Sequence, residues 1–453
     1  MKKRSESSLD LEGALRDQTL NRRDFLKTSG LAALAAAGAF ALPATSRAKA
    51  TLRFWTSQGA PNQIAAWKDI FSRFEKQYPD YTVAIEVYSD DNLWPKLTAA
   101  YSGRDLPDLI SYVQAYTVVT LNDQGLLEPF DDVMKAVGED DFYPSMRDVY
   151  KDKGHYMAAT LNNQTSSNLW YRKDLLQEAG LEPPKYWDEL LTVGKKLTKG
   201  DIYGVTLPYG RSALTDTCMI MFVHQAGGWI VNPDMSVAFN SPETVATLEF
   251  LKEMYQYAPP GATSYSWGEV MNAFVTGRTA CSIYTGRPIF VVNLQNPALA
   301  DKISRVPYPY RREGTPYYDC PFNSLFIPKG AKNVEGAKQL AKWLFRKEDY
   351  VQFLHTTPGH NLPALKSIGS SKEFFANPLM QKYRKEVEGM IDTTAKSRNL
   401  VKESDRHPFN KKAGSIFNSN VLSETLQSVI TDGVSPKVAA ARGADKIAEI
   451  MKG

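Results

Sequence analysis

The sequence predicts an α/β fold in which a parallel sheet carries helices on both faces. Three observations predict it. First, apolar and polar residues alternate over TLRFWTSQ (51–58) and again over YTVAIEVY (81–88), the period of a half-buried strand. Second, Ile64, Trp67, Ile70, Phe71 and Phe74 lie between them at helical spacing, and Pro79 ends that run. Third, Ser89-Asp90-Asp91 can cap a helix bearing Leu93, Leu97 and Tyr101 that stops at Gly103, after which DLISY (108–112) forms another strand. Strand, helix, strand, helix, strand in that order is the pattern of a parallel sheet with covered faces.

The pattern continues along the chain. A helix runs to Gln124 and turns at Gly125. A second α/β pattern opens at LWYRKDLLQEAG (169–180). DIYGVTLP (201–208) is a strand and ALTDTCMIMFVHQAGG (213–228) a largely buried helix. SPETVATLEFLKEMY (241–255) is a helix with Ser241 at its N-cap and Pro242 in its first turn. ACSIYTG (280–286) and SLFIPKG (324–330) are strands. VEGAKQLAKWLFRKEDYVQFL (334–354) reads as one long amphipathic helix, and the tail from about Ser371 is helical. No internal repeat is present.

The start of the chain reads as an export leader. NRRDFLK (21–27) precedes an apolar run from Leu31 to Leu42 and then PATSRAKA. This resembles a twin-arginine signal, with Arg22, Arg23, Phe25 and Leu26 at the expected offsets, although Asn21 stands where Ser or Thr is usual. Twelve residues are too few for the roughly 20 a spanning helix needs, and Ala48-Lys49-Ala50 fits the small-x-small cleavage rule. The expectation is a periplasmic protein cleaved near Ala50.

Residues 1–50 hold nine Lys or Arg and five Asp or Glu, which is the whole excess of +4. The remainder balances at 45 against 45 and carries no charge footprint for nucleic acid or acidic membrane. About 400 residues after the leader suit two domains. Cys218, Cys281 and Cys320 match no metal or redox spacing. They read as three small apolar side chains, and the choice of any disulfide pair among them stays open.

Catalytic motifs are missing. The sequence has no G-x-G-x-x-G, P-loop, H-E-x-x-H, C-x-x-C-H or G-x-S-x-G. The five histidines form no i, i+4 pair. The expectation is a non-enzyme without cofactor or metal, although paired carboxylates of a glycosidase are close only in space and leave no spacing to read.

Ten segments in order resemble the family 1 extracellular solute-binding proteins. They begin with FEKQYPDYTV, KLTAAYSGRDLPDLISY and LNDQGLLEPFDDV. LWYRKDLLQEAGLEPPKYWDELLTVGKKLT follows, then HQAGG, NSPETVATLEFLKEMY and FVTGRTACSIYTG. SLFIPKGAKNVEGAKQLAKWLF, PGHNLPALKS and ITDGVSPKVAAARGADKIAEIM complete the set.

The resemblance implies a two-lobed periplasmic-binding-protein fold of type II, with three inter-lobe crossings near 165–171, 317–326 and 361–367. The amino-terminal lobe would be 51–165 plus 325–362, and the carboxyl-terminal lobe 166–324 plus 367–453. The implied activity is capture of a sugar or sugar derivative by hinge closure. The receptor would be a monomer that hands its ligand to the transmembrane subunits of an ABC importer. A ligand-sensing partner of a membrane signalling protein is the alternative from another class, with a periplasmic carbohydrate-active enzyme behind it.

In parallel sheets ligands bind at the carboxyl ends of strands. Sugars need aromatic platforms for their C–H faces and polar groups for their hydroxyls. Trp55, Thr56, Ser57 and Gln58 supply both at one strand end, and Tyr112 and Gln114 at the next. Asp90 either accepts hydroxyls or caps its helix. Asn163 lies in the polar run of the first crossing, and Asn323 on the second. Gly228 would bring backbone close to ligand. Trp229 and Trp267 are platforms or core. In YTGRPIF (284–290), Tyr284, Gly286 and Arg287 stand where many relatives have Gly-x-Trp. Arg287, joined by Arg211, would read a carboxylate or phosphate, giving a receptor for an acidic sugar or sugar-phosphate ester. Otherwise Arg287 pairs with a protein carboxylate.

Overall fold

A computed structural model describes residues 49–452. Of the expected twin-arginine leader, residues 1–50, only Lys49 and Ala50 are among the described residues. Ala50 itself opens the first strand, its N–H on the Asp80 carbonyl at 2.8 Å. Cleavage after Ala50 would therefore trim one strand residue.

Among the described residues there are twelve strands: β1 Ala50–Thr56, β2 Tyr81–Val87, β3 Leu109–Gln114, β4 Lys151–Asp152, β5 His155–Tyr156, β6 Ala159–Asn163, β7 Asn168–Arg172, β8 Tyr203–Thr206, β9 Thr279–Ile283, β10 Ile303–Pro307, β11 Asn323–Phe326 and β12 Leu362–Pro363. They form a six-stranded sheet ordered β12-β6-β11-β3-β1-β2, a four-stranded sheet ordered β10-β7-β9-β8, and a small hairpin of β4 and β5. β1 pairs in parallel with both β2 and β3, as the strand–helix alternation requires. β11 returns antiparallel between β3 and β6, and β12 antiparallel on β6. The chain therefore passes between the two sheets three times: at Gln164–Ser167, over Tyr308–Phe322, and after Pro363.

The alternation in β1 decides which side chains meet the first helix, Pro61–Gln77. Leu52 and Phe54 point to its face, and the Phe54 ring sits 5.2 Å from Trp67 and 5.1 Å from Phe71. Edge-on aromatic pairs of this kind add about 1 kcal/mol beyond burial. Pro61 starts this helix and Gln63 reaches back to the Ala60 N–H at 2.9 Å, so its first turn is closed by its own sequence.

One element differs from expectation. The run 334–354 is two helices, Val334–Leu344 and Lys347–Leu354. Arg346 between them is extended (φ −63°, ψ 136°), and its guanidinium lies 3.8 Å over the Trp343 ring. The break lets Phe345 meet Phe142 and Tyr350, while Phe353 stacks on Trp67. A straight helix would not turn all of these inward.

In the tail, the helix Ala413–Asn418 packs on Ala115–Asp123, which follows β3, with the Phe417 ring 4.5 Å from Tyr116. Lys411 pairs with Asp123 nearby. The tail therefore touches the first sheet's layer as well as the second. Cys218, Cys281 and Cys320 are buried free thiols.

Candidate functional site

The three passages between sheets bring polar side chains into the interior. In β6, Asn162 and Asn163 are buried. Asn162 Nδ2 donates to Asn361 Oδ1 at 3.0 Å, and Asn163 Nδ2 donates to the carbonyls of Leu362 and Pro363 at 3.2 and 2.9 Å. Asn323 opens β11 in register with Gln114 on one side and Asn162 on the other. Asn162 Oδ1, Asn163 Oδ1 and Asn323 Nδ2 are buried without a protein partner. Buried polar atoms are normally paired; Asn162 and Asn323, register partners on β6 and β11, share one face, whereas Asn163, next along β6, points to the other.

The seam continues across to the second sheet. His360, next to Asn361, places Nδ1 2.9 Å from Thr285 Oγ1 at the end of β9. Burial, with the Arg287 charge behind it, holds the His360 imidazole well below its usual range and hence neutral. Gly286 is pressed against the Gly359 carbonyl so closely that a Cβ would run into it, and Gly359 itself has φ +79°. This pins the β9 turn to the third crossing. Arg287 leaves that turn exposed, and no carboxylate among the described residues lies within ion-pair distance of it. The arrangement departs from the pairing expected for Arg287. Tyr284 is buried, its hydroxyl donates to the Trp267 carbonyl at 2.9 Å, and its ring meets Trp267 edge-on at 5.6 Å. Trp267 is half-buried. Gln114, Asn323, Asn163, Tyr284, Gly286, Arg287 and Trp267 are thus joined by an unbroken chain of contacts.

Several other candidates have partners of their own. Trp55 is fully buried, its indole N–H on Glu86 and its ring 4.7 Å from Tyr88. The pleat decides this: Phe54 faces the first helix, so Trp55 faces the opposite side, above its register partner Glu86. Thr56 and Gln58 close the turn itself. Thr56 Oγ1 accepts the Gln58 N–H at 3.1 Å, and Gln58 accepts from the Gln63 amide. Ser57 is half-buried, with its hydroxyl oxygen buried and unpartnered. Gly228 is small for packing rather than for ligand approach, since a Cβ there would lie 2.8 Å from Glu243 and 3.2 Å from Val223. Arg211 is tied to Glu424 at 2.9 Å, so its charge is already answered. Trp229 is half-buried against two histidine rings. Asp90 opens the helix Asp90–Gly103 and Tyr112 lies inside β3, but their side chains lie outside the description.

Sequence reading missed a buried acid on the second crossing. Tyr116 donates to Asp319 at 3.3 Å, and burial pushes the Asp319 carboxyl far above its usual range. It also missed Arg305 in β10, whose guanidinium donates to Asn168 Oδ1, the Gly389 carbonyl and Thr393 Oγ1 at 2.8–3.0 Å. Burial lowers it to about 10. Nothing in the local sequence around either residue signals burial, because their partners are 84 to 203 positions away. Among the described residues no group of acidic, histidine or cysteine side chains can hold a metal, and no helix is long and apolar enough to cross a membrane.

Known proteins match this chain. It is 25% identical over 338 residues to YcjN of Escherichia coli, itself a candidate periplasmic-binding protein of an ABC transporter, covering 73% of this chain and 77% of that one. It is 26% identical to the mannitol-binding protein of Pseudomonas aeruginosa, covering 68% and 72%. A solute-binding protein of Thermotoga lettingae, solved with α-D-tagatose, superposes with a TM-score of 0.75 at 23% identity, covering 88% of this chain and 99% of that one. The fold is therefore the two-lobed type II arrangement, with three crossings and a cleft between lobes. The family model for bacterial extracellular solute-binding proteins spans residues 60–351, and the chain belongs to that family.

Proposed function

We propose that this chain is the periplasmic receptor of an ABC importer. It captures a sugar or polyol between lobes formed by 51–165 plus 325–362 and by 166–324 plus 367–453, and delivers it to the transmembrane subunits. The observation that carries this reading is the pair of buried amides at the first two crossings, Asn162 Oδ1 and Asn323 Nδ2, register partners that both lack protein partners. Hydroxyl groups, each both donor and acceptor, answer such unpaired atoms of either kind. The mannitol-binding relative supports a polyhydroxylated ligand. Closure about the crossings would bury the ligand and favour the form the importer recognises. A twin-arginine leader at 1–50 would export the folded chain. A receptor role needs no chemistry, in keeping with solute-binding relatives.

Arg287 favours a second reading, an acidic sugar or sugar-phosphate ester, because its exposed guanidinium has no carboxylate partner among the described residues. One experiment separates the two. Ligand-stripped protein is melted against neutral sugars, polyols, sugar acids and sugar phosphates. A ligand at 100 times its Kd stabilises by about 2.7 kcal/mol, a shift of several degrees. Shifts with polyols or neutral sugars support the first reading, and shifts confined to acidic compounds support the second. No shift with any class removes both.

A further inference from the structure

Trp229 is flanked by His224 and by two residues of the tail, Glu403 and His407. Glu403 is buried in the tail. Its Oε2 accepts the Ile230 N–H at 2.9 Å and its Oε1 the Val231 N–H at 3.1 Å. The same carboxylate lies 2.7 Å from Nε2 of His224, whose Nδ1 is 2.6 Å from the Ile220 carbonyl. Each ring nitrogen of His224 thus has an oxygen nearby, although only Nδ1 makes a hydrogen bond of normal geometry. His407 completes the grip: its Nε2 lies 3.0 Å from the Val231 carbonyl and its Nδ1 2.7 Å from Ser404 Oγ.

These contacts fix both peptide groups that follow Trp229. Its ring then stands between two imidazoles, 5.1 Å from His224 at 87° and 4.7 Å from His407 at 48°. The ring is only half-buried, so part of it remains open. The assembly abuts a crossing: His224 lies 4.0 Å from the Tyr317 ring, and Gln225 donates to the Tyr317 carbonyl at 3.0 Å.

Burying a carboxyl group is a poor device for stability alone, since its desolvation is costly. It is a good device for holding one geometry. We propose that Glu403 and His407 are positioning residues that fix the orientation of Trp229, whose open face packs against the C–H skeleton of the ligand. The ligand contact rests on the receptor reading above, whereas the positioning does not.

The test is a fluorine spectrum of the protein labelled with 5-fluorotryptophan. The chain has eight tryptophans, and Trp229→Phe identifies the resonance of interest. In His407→Ala and Glu403→Gln that resonance should shift or broaden while the other seven hold still. His407→Gln, which can still donate to the Val231 carbonyl, should restore it. If the resonance is unmoved in His407→Ala, the inference is overturned, and this holds even if Glu403→Gln does not fold. Titration with D-mannitol separates the two readings. Loss of affinity of tenfold or more in Trp229→Ala, with a partial loss in His407→Ala rescued by His407→Gln, supports both. The same loss in Trp229→Ala with none in His407→Ala overturns the positioning role alone. Unchanged affinity in Trp229→Ala removes the ligand contact and leaves the spectrum to judge the rest.

Discussion

The indole N–H of Trp55 donates to Glu86 Oε2 at 2.9 Å, across a register pair of β1 and β2. Arg53 clamps the same carboxylate through Nε and one terminal nitrogen, and Tyr88 donates to it at 3.1 Å. Trp55 therefore belongs to the interior of the first sheet's layer. Trp55→Ala should cost about 3–5 kcal/mol in urea unfolding. Trp55→Phe, which loses the bond to Glu86 and part of the ring, should cost about 1–3 kcal/mol. Ligand affinity of the folded Phe variant should stay within about threefold of wild type. A loss near a hundredfold would return Trp55 to the ligand site.

Gly286 and Gly359 bind the β9 turn to the third crossing by backbone contact alone. Gly286→Ala must push the two segments apart and should destabilise by about 1–3 kcal/mol, read as a fall in melting temperature. The same variant should weaken ligand binding, because Arg287 and Tyr284 leave this turn. A melting temperature equal to wild type would show that the turn is free to move.

Arg211 and Arg287 should behave differently. Arg211→Ala breaks an exposed pair with Glu424 and should change stability by less than about 1 kcal/mol, with ligand affinity unchanged. Arg287→Ala should reduce affinity for a carboxylate or phosphate ligand by about tenfold or more, and for a neutral polyol by less than about twofold. Equal effects on both ligand classes in calorimetric titration would show that Arg287 shapes the pocket and reads no charge.

Asp216 gives a pH dependence. Burial raises its carboxyl to about 7, against the opposing N–H and hydroxyl of Ser423 at 2.8 and 3.1 Å. An acid raised in the fold binds its proton more tightly there than in the unfolded chain. Its contribution is therefore fully present below about pH 4 and is lost as pH rises toward 7. Near neutral pH the cost is of the order of 4 kcal/mol at most. Asp216→Asn should flatten the stability profile between pH 4 and 7 and raise stability at pH 7. An identical profile in wild type and variant would show that this carboxyl does not titrate in the window.

Legibility followed the range of the interaction. The parallel order of β1, β2 and β3 was readable because alternation and helical spacing are set by residues two to four positions apart. The same local rule failed over 334–354. There the hydrophobic period continues through Phe345 and Arg346, but the rings of Phe142 and Trp67 pull the two halves in different directions. Gly228 was legible as a required glycine. Its reason, the Glu243 side chain of the next helix, was not.

The sequence by itself determined the kind of protein: the α/β alternation, the ordered family segments and a polar run at the first crossing. Residue types and short spacings carry that information. Only the tertiary structure decided which polar groups remain unpaired. Asn162 and Asn323 become neighbours through strand pairing 161 positions apart, and the tail more than 170 positions away brings His407 to the Trp229 ring and Glu403 to the two N–H groups that follow it. Hydrogen bonds and burial act over a few ångströms in space, so Trp55, a platform by its local sequence, becomes core once Glu86 takes its N–H.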